Sequence, residues 1–226
     1  MSTENPQSLL HLMRLVSPAL PVGAYVYSQG MESAVESGWV NSAASAEEWL
    51  RGILTYGVGR LDAPVFLRLY DAWQEQSIEA VCEWNQFLLA SRETSELLLE
   101  DTQMGAALMR LLKDLNVPRA HEQQIPSPAS FVTAFALSAS YWQVDKQSAL
   151  QGLLWSWLEN QVAAAIKLIP LGQTQGQRLL IALTKDIKVT AELAVDILTD
   201  NIGWSLPRLA MASMRHESQY SRLFRS

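Results

Sequence analysis

Residues 97–115 read LLLEDTQMGAALMRLLKDL, and this stretch decides the fold class. Its apolar side chains recur every three or four positions, from Leu97 and Leu98 through Met104 and Leu108 to Leu115. Residues spaced in this way lie on one face of an α-helix, and the run covers about five turns. The pattern therefore predicts a long amphipathic helix with one buried face.

Two more helices are predicted downstream of this stretch. Residues 145–169 place Trp155, Leu158, Val162 and Ile166 on one face, and Pro170 and Gly172 then end the helix. Residues 173–198 form the next helix. Its inward side chains are predicted to be Leu179, Leu180, Leu183, Ile187 and Leu193.

Capping residues and prolines predict where other helices begin and where the chain is not helical. Ser45 with Glu48 indicates a capping box, and Ser127 before Pro128 indicates an N-cap followed by a first helical residue. Residues 17–23 cannot be continuous helix because their two prolines lack amide hydrogens. Residues 116–128 hold three prolines and little periodicity, which predicts an exposed, mobile loop.

Strand patterns are poor, since no two alternating runs are joined by a two-residue turn of the Asn-Gly type. We therefore expect an all-α protein, a single-domain bundle of roughly nine to ten helices over residues 1–226. A hydrophobic content of 49% supports a sizeable core.

Charge and cysteine content restrict the class of protein. The formal net charge of −6 argues against nonspecific nucleic-acid binding, which needs a basic surface. Cys82 is the only cysteine, so no intrachain disulfide forms and a cytoplasmic location is expected, with the thiol buried and inert. No signal peptide is expected at the N-terminus. The most apolar stretch, residues 162–171, is too short for a membrane span and contains Lys167.

The sequence lacks the common motifs of metal-binding and nucleotide-binding sites. The three histidines are far apart, and neither a His-x-x-x-His nor a Cys-x-x-Cys pair occurs, so no metal site is expected. The glycine pairs at 57–59 and 172–176 lack the lysine and hydroxyl of a phosphate-binding loop. We therefore expect no catalytic residues and no intrinsic cofactor.

Three segments carry polar and aromatic residues that packing does not explain. They are the non-periodic stretch 20–39, Lys167 with the residues that follow it, and the arginine-rich terminus 215–226. Arginine and tyrosine commonly anchor protein interfaces, so we expect the terminus to pack on a partner rather than on the protein's own core. The candidate partner-binding residues are Tyr25, Ser28, Gln29, Glu32, Lys167, Gln173, Arg215, His216, Tyr220, Arg222 and Phe224.

These three segments and a fourth run, at 91–97, resemble one known family. The runs LPVGAYVYSQGME at 20–32, SRETSEL at 91–97, KLIPLGQ at 167–173 and RHESQYSRLFRS at 215–226 are similar to motifs of the urease accessory protein family UreF. The four motifs occur in the family's order along nearly the whole chain. Together they are far more specific than any one of them.

The resemblance implies a function that the composition does not. UreF-like proteins are all-α homodimers that bind UreD (also called UreH) and the GTPase UreG, which carries the GTP. Together they deliver nickel to the urease apoprotein, and UreF modulates the GTPase without being a hydrolase. Lys167 matches a family lysine that is linked to control of GTP hydrolysis. Gln29 stands where relatives often carry histidine, so no metal ligand is expected there.

Two other readings stay open at this point. An α-helical enzyme would need titratable groups from distant parts of the chain to meet in one pocket. An unrelated helical binding module or regulator would not interact with urease components.

Overall fold

Ten α-helices account for most of the chain that the computed structural model describes, residues 6–122 and 124–226, and these residues hold no β-strand. The all-α prediction and the number of helices are confirmed. The helices are α1 (Pro6–Leu15), α2 (Met31–Glu36), α3 (Ala43–Gly52), α4 (Asp62–Glu75), α5 (Ile78–Ala90), α6 (Ser95–Asp114), α7 (Phe131–Tyr141), α8 (Lys146–Leu168), α9 (Gln173–Val195) and α10 (Pro207–Glu217).

Helix α7 lies at the centre of the bundle, and nine of its eleven residues are buried. Phe135 on α7 packs edge-on against Phe66 on α4, with ring centroids 6.1 Å apart. The indole nitrogen of Trp73 donates to the carbonyl oxygen of Thr133 at 3.2 Å. A helix that is apolar on nearly all sides must be surrounded by others, and α4 and α6 are the helices that pack most extensively on it.

The stretch that decided the fold class forms α6, but the side chains that its first two turns bury in the core are acidic. Leu108, Met109 and Leu112 are buried as the pattern requires. Leu98 and Leu115 were predicted to face inward and are exposed instead. The buried positions of the first turns are held by Glu96, Glu100 and Asp101. Carboxyl groups are buried only when other groups bond to them, so this end of α6 marks a polar site inside the bundle.

Helices α8 and α9 form the longest packed pair. Asp145 caps α8 by accepting the amide of Ser148 at 2.8 Å, so the helix has the predicted bounds to within one residue. Gly176 lets α9 approach α8, because a Cβ there would collide with Ile166. The prediction that Leu193 faces inward is wrong. Ala191 and Ala194 take the buried positions one turn and two turns after Ile187.

Two predicted helix starts move by three residues. Ser42, not Ser45, is the N-cap of α3, because its side chain accepts the amide of Ser45. Ser130, not Ser127, caps α7, where it accepts the amide of Thr133 at 3.0 Å. Gly105 brings α6 close to this second start, since a Cβ there would collide with the carbonyl oxygen of Ala129.

The connections agree with the prediction in outline. Residues 17–23 are not helical, and the stretch 116–128 contains a single 3-10 turn, Pro118–His121. Residue 123 lies outside the described residues, and the mobility of this stretch stays a prediction. Cys82 is half-buried rather than buried. Within the described ranges, no helix has the length and apolar character that a membrane span needs.

Candidate partner-binding site

The last residues of the chain, 218–226, follow α10 and lie across α2 and the turn before it; we call them the C-terminal segment. Helix α10 packs on α2 and α6. Gly30 at the start of α2 makes this approach possible, because a Cβ there would lie 2.9 Å from the amide nitrogen of Ser213. Its φ of +74° also favours glycine.

Main-chain groups of the C-terminal segment bond to residues 26–32. The carboxylate of Glu32 accepts the amides of Leu223 at 2.7 Å and Phe224 at 2.8 Å. The hydroxyl of Ser28 donates to the carbonyl oxygen of Ser226 at 2.6 Å, and the amide of Ser28 donates to the same oxygen at 2.9 Å. The segment therefore packs on the protein's own core, contrary to the expectation from its composition.

His216 holds the end of α10 between two acids. Its Nδ1 atom lies 2.8 Å from Glu96 Oε2, and its Nε2 atom lies 3.3 Å from Glu32 Oε2. The imidazole is fully buried. Arg222 adds an ion pair to Glu96, with 3.0 Å between Nη1 and Oε1.

Glu100 lies beneath the segment in a chain of hydrogen bonds. Its carboxyl group accepts from the side-chain amide of Gln29 and from the hydroxyl of Ser226, both at 2.8 Å. Gln29 in turn accepts the indole hydrogen of Trp157 at 2.8 Å. Burial raises the pKa of Glu100 to about 7, although the bonds from Gln29 and Ser226 act in the opposite direction.

The raised pKa of Glu100 makes its contribution to stability depend on pH. Its ordinary pKa of 4.5 holds in the unfolded chain, so between pH 4.5 and about 7 the folded state binds more protons. The contribution is therefore present below pH 4.5 and lost as pH rises to about 7, by roughly 3 kcal/mol in total. We expect Glu100→Gln to remove this loss, and to be more stable than the wild type at pH 8 by up to that amount.

Urea unfolding at pH 5 and pH 8 tests this prediction, because the difference between variant and wild type cancels the other titrating groups. Glu79→Gln is the matched control, since Glu79 is an exposed acid on α5. A Glu100→Gln variant that loses stability at pH 8, or one whose difference from wild type does not change with pH, would contradict it.

Arg92 lies beside Glu100, between two further acids. Its Nη2 atom is 2.6 Å from Asp62 Oδ1, and its Nε atom is 2.8 Å from Asp101 Oδ2. Asp101 also accepts the amide of Phe131 at 2.7 Å, which joins the start of α7 to α6. Burial lowers the pKa of Arg92, but Asp101 and Asp62 together raise it above its ordinary value, so the guanidinium stays charged.

A cavity of about 400 Å³ opens beside these groups. Its lining includes the polar residues Gln29, Arg92 and Glu100 and apolar residues such as Leu153, Val162 and Leu180. The described residues contain no group of three or more His, Cys, Asp or Glu side chains that could hold a metal ion.

The structure places the predicted site residues in two classes. Those with exposed side chains are Tyr25, Lys167, Gln173, Arg215, Tyr220 and Arg222, while Gln29 is half-buried. Those with buried side chains are Ser28, Glu32, His216 and Phe224. The buried four hold the C-terminal segment and cannot touch a partner in this conformation. Lys167 lies with its Nζ atom 5.5 Å from the ring of Phe224, so two predicted segments meet.

The sequence did not mark Arg92, Glu96, Glu100 or Gln161 as site residues, although Arg92 and Glu96 lie in the motif at 91–97. The signal was present for the two acids on α6, because they occupy inward positions of a helix whose pattern is otherwise apolar. Their bonding partners are as many as 126 residues away, and no local pattern marks such a distance.

Comparison with known proteins places the chain in a family. The sequence model of UreF matches residues 40–184. The urease accessory protein UreF of Teredinibacter turnerae is 53% identical over 218 residues, which cover 96% of this chain and 98% of the relative.

The chain belongs to the UreF family. The UreF protein of Hahella chejuensis is 48% identical over 98% of this chain and 99% of its own length, and UreF 2 of Brucella anthropi is 46% identical over 96% of both. The resemblance of the four sequence motifs is therefore confirmed. The matches to these UreF proteins extend over nearly the whole chain, so they include α2, α6 and α8 as well as most of the described fold.

Proposed function

We propose that this protein is a non-catalytic scaffold in urease maturation, in the cytoplasm, that binds UreD (UreH) and recruits the GTPase UreG. In this role it acts as a homodimer, GTP is bound by UreG, and nickel is inserted into the urease apoprotein with no cofactor held by the scaffold itself. Membership of the UreF family over nearly the full chain is the observation that carries the proposal.

The exposed side of the C-terminal segment supports a partner surface. Its backbone is fixed by Glu32 and Ser28, while Tyr220 is fully exposed and Leu223 is 65% exposed. Met211 and Met214 on α10 are also exposed. Large apolar and aromatic side chains that are exposed on an ordered backbone can bind a partner at a low cost in conformational entropy, because the backbone is already fixed. We assign this surface to UreD.

Lys167 supports a separate contact. It is exposed at the last turn of α8, where the carbonyl end of the helix dipole favours a cation. It has no ion-pair partner among the described residues, so its charge is available to another protein. We assign it to UreG, whose switch segments take different states with GTP and GDP.

Co-purification tests the scaffold role. Tagged full-length protein expressed with UreD and UreG from the same source should retain both partners through gel filtration. A mass twice that of the chain is expected for the protein alone in light scattering. Retention of neither partner, with a folded protein, would leave the family membership intact and overturn the proposed role.

Lys167→Ala is expected to leave folding nearly unchanged, because the lysine is exposed and its contact with the ring of Phe224, 5.5 Å away, is a weak one at the surface. If the lysine biases the GTPase, the variant still assembles with UreD and UreG but changes GTP turnover during urease activation. If the lysine only contributes to the contact with UreG, the variant recruits less UreG. Lys185→Ala is the matched control, since Lys185 is an exposed lysine on α9. Unchanged recruitment, turnover and activation would reduce Lys167 to a surface charge.

A further inference from the structure

The cavity beside α8 has the size and lining of a small-molecule site. Ligand pockets commonly enclose about 300–1,000 Å³, with apolar walls and a few converging polar groups. This cavity has about 400 Å³, and the apolar side chains of Leu153, Val162 and Leu180 line it together with Gln29 and Asn160. The scaffold role proposed above does not use it.

The lining is strongly acidic. Five carboxyl groups and one guanidinium line the cavity: Asp62, Glu93, Glu100, Asp101, Glu159 and Arg92. Asp62 and Asp101 share Arg92, whereas Glu93, Glu100 and Glu159 have no ion pair among the described residues. Burial raises the pKa of Glu159 as well as that of Glu100, so both carboxyl groups lack the solvation that an acid normally has. A cation in the cavity would supply the missing stabilisation.

Gln161 gives independent evidence for a bound polar molecule. It lies on α8 in the lining of the cavity and is 1% exposed. Neither its amide nitrogen nor its amide oxygen has a hydrogen-bond partner among the described residues. Buried side-chain amides almost always have partners, and the oxygen of this one can accept a hydrogen bond from a cationic donor.

Aromatic rings and the lack of a metal-binding cluster define the kind of cation. Tyr25, Trp157 and Trp204 line the same cavity, and aromatic faces attract ammonium groups. The described residues do not bring together three side chains that could ligate a metal ion. Apolar walls also suit a carbon skeleton better than a hydrated ion.

We propose that the cavity binds a small organic cation, a primary ammonium group on an apolar body. The ammonium group lies at Gln161 and at the carboxyl groups that have no ion pair, and these groups accept its hydrogens. The apolar body lies against Leu153, Val162 and Leu180.

Three six-carbon probes test the proposal on the full-length protein by calorimetric titration and thermal unfolding: n-hexylammonium, hexan-1-ol and hexanoate. Hexylammonium should bind saturably. At ten times its dissociation constant it should raise the melting temperature by about 3–6 °C. Hexan-1-ol should bind more weakly, and hexanoate should not bind. Equal binding of hexylammonium and hexan-1-ol would mean a merely apolar cavity and would overturn the proposal.

Amino-acid substitutions test whether hexylammonium binds in this cavity. Gln161→Leu and Glu100→Gln should each weaken hexylammonium binding at least about tenfold, because the first removes an acceptor for the ammonium group and the second removes a carboxylate charge. Ala163→Trp should abolish binding and still fold, since Ala163 is exposed and lines the cavity. Glu79→Gln removes an equal charge elsewhere and should change nothing. Undiminished binding of hexylammonium to a folded Ala163→Trp variant would overturn the proposal. Undiminished binding to both Gln161→Leu and Glu100→Gln would also overturn it, so the test does not depend on the folding of any single variant.

Discussion

Arg92→Met is expected to lower the free energy of unfolding by about 3–5 kcal/mol. The guanidinium bonds to Asp62 and Asp101, and all three side chains are largely buried. Methionine fills a similar volume but leaves two acids without a cation in a poorly solvated environment. An uncompensated buried charge costs far more than the net worth of the pair that held it. The effect should be seen in urea unfolding followed by circular dichroism.

Arg51→Met is the matched control, because Arg51 also bonds to two acids, Glu47 and Asp186, but at the surface. It should cost only about 0.2–1 kcal/mol, since exposed ion pairs are screened by solvent. Adding Asp62→Asn and Asp101→Asn to Arg92→Met should restore much of the lost stability. An equal loss of unfolding free energy in Arg92→Met and Arg51→Met would show that the charge of Arg92 does not stabilise its buried contacts with Asp62 and Asp101.

Glu32→Ala is the second large effect, with an expected loss of about 3 kcal/mol or more. The substitution removes the acceptor for the amides of Leu223 and Phe224 and one of the two acids beside His216. The two amides lose their acceptor while His216 keeps only Glu96, and hydrogen bonds to a charged acceptor are worth about 1.5–3 kcal/mol. Amide hydrogen exchange at residues 223 and 224 should become fast in the variant.

Glu36→Ala provides the comparison on the same helix. Glu36 is one turn after Glu32 and is exposed, so its loss should change stability by no more than about 0.5 kcal/mol. Protection of the amides at residues 223 and 224 should be the same as in the wild type. Retained protection in Glu32→Ala would show that the C-terminal segment does not depend on this carboxylate.

Features of the fold that depend on local sequence could be predicted. The bounds of α8 follow from the spacing of its apolar residues, from the cap at Asp145 and from Pro170, all of which lie within or beside the helix. The end of α9 was less predictable. Alanines fill its last inward positions, and alanine is too common on exposed helix faces to mark a buried one.

The candidate site was predictable in its members but not in its geometry. Ser28, Glu32, His216 and Phe224 stand out as polar or aromatic residues in non-periodic segments, yet nothing local tells whether such residues face a partner or the protein's own backbone. Asp101 on α6 bonds to Arg92, which bonds to Asp62, 30 residues earlier in the chain, and Glu100 accepts from Ser226, 126 residues away. Pairing over such distances is set by the packing of whole helices.

The contact between Ser28 and Ser226 joins residues 198 positions apart, the kind of contact that folds late. Closing so long a loop costs chain entropy that is recovered only after the helices between the two residues have packed. The C-terminal segment is therefore expected to dock after the rate-limiting step of folding. Loss of Glu32 should then accelerate unfolding and leave the refolding rate nearly unchanged, the behaviour of a position with a φ-value near zero.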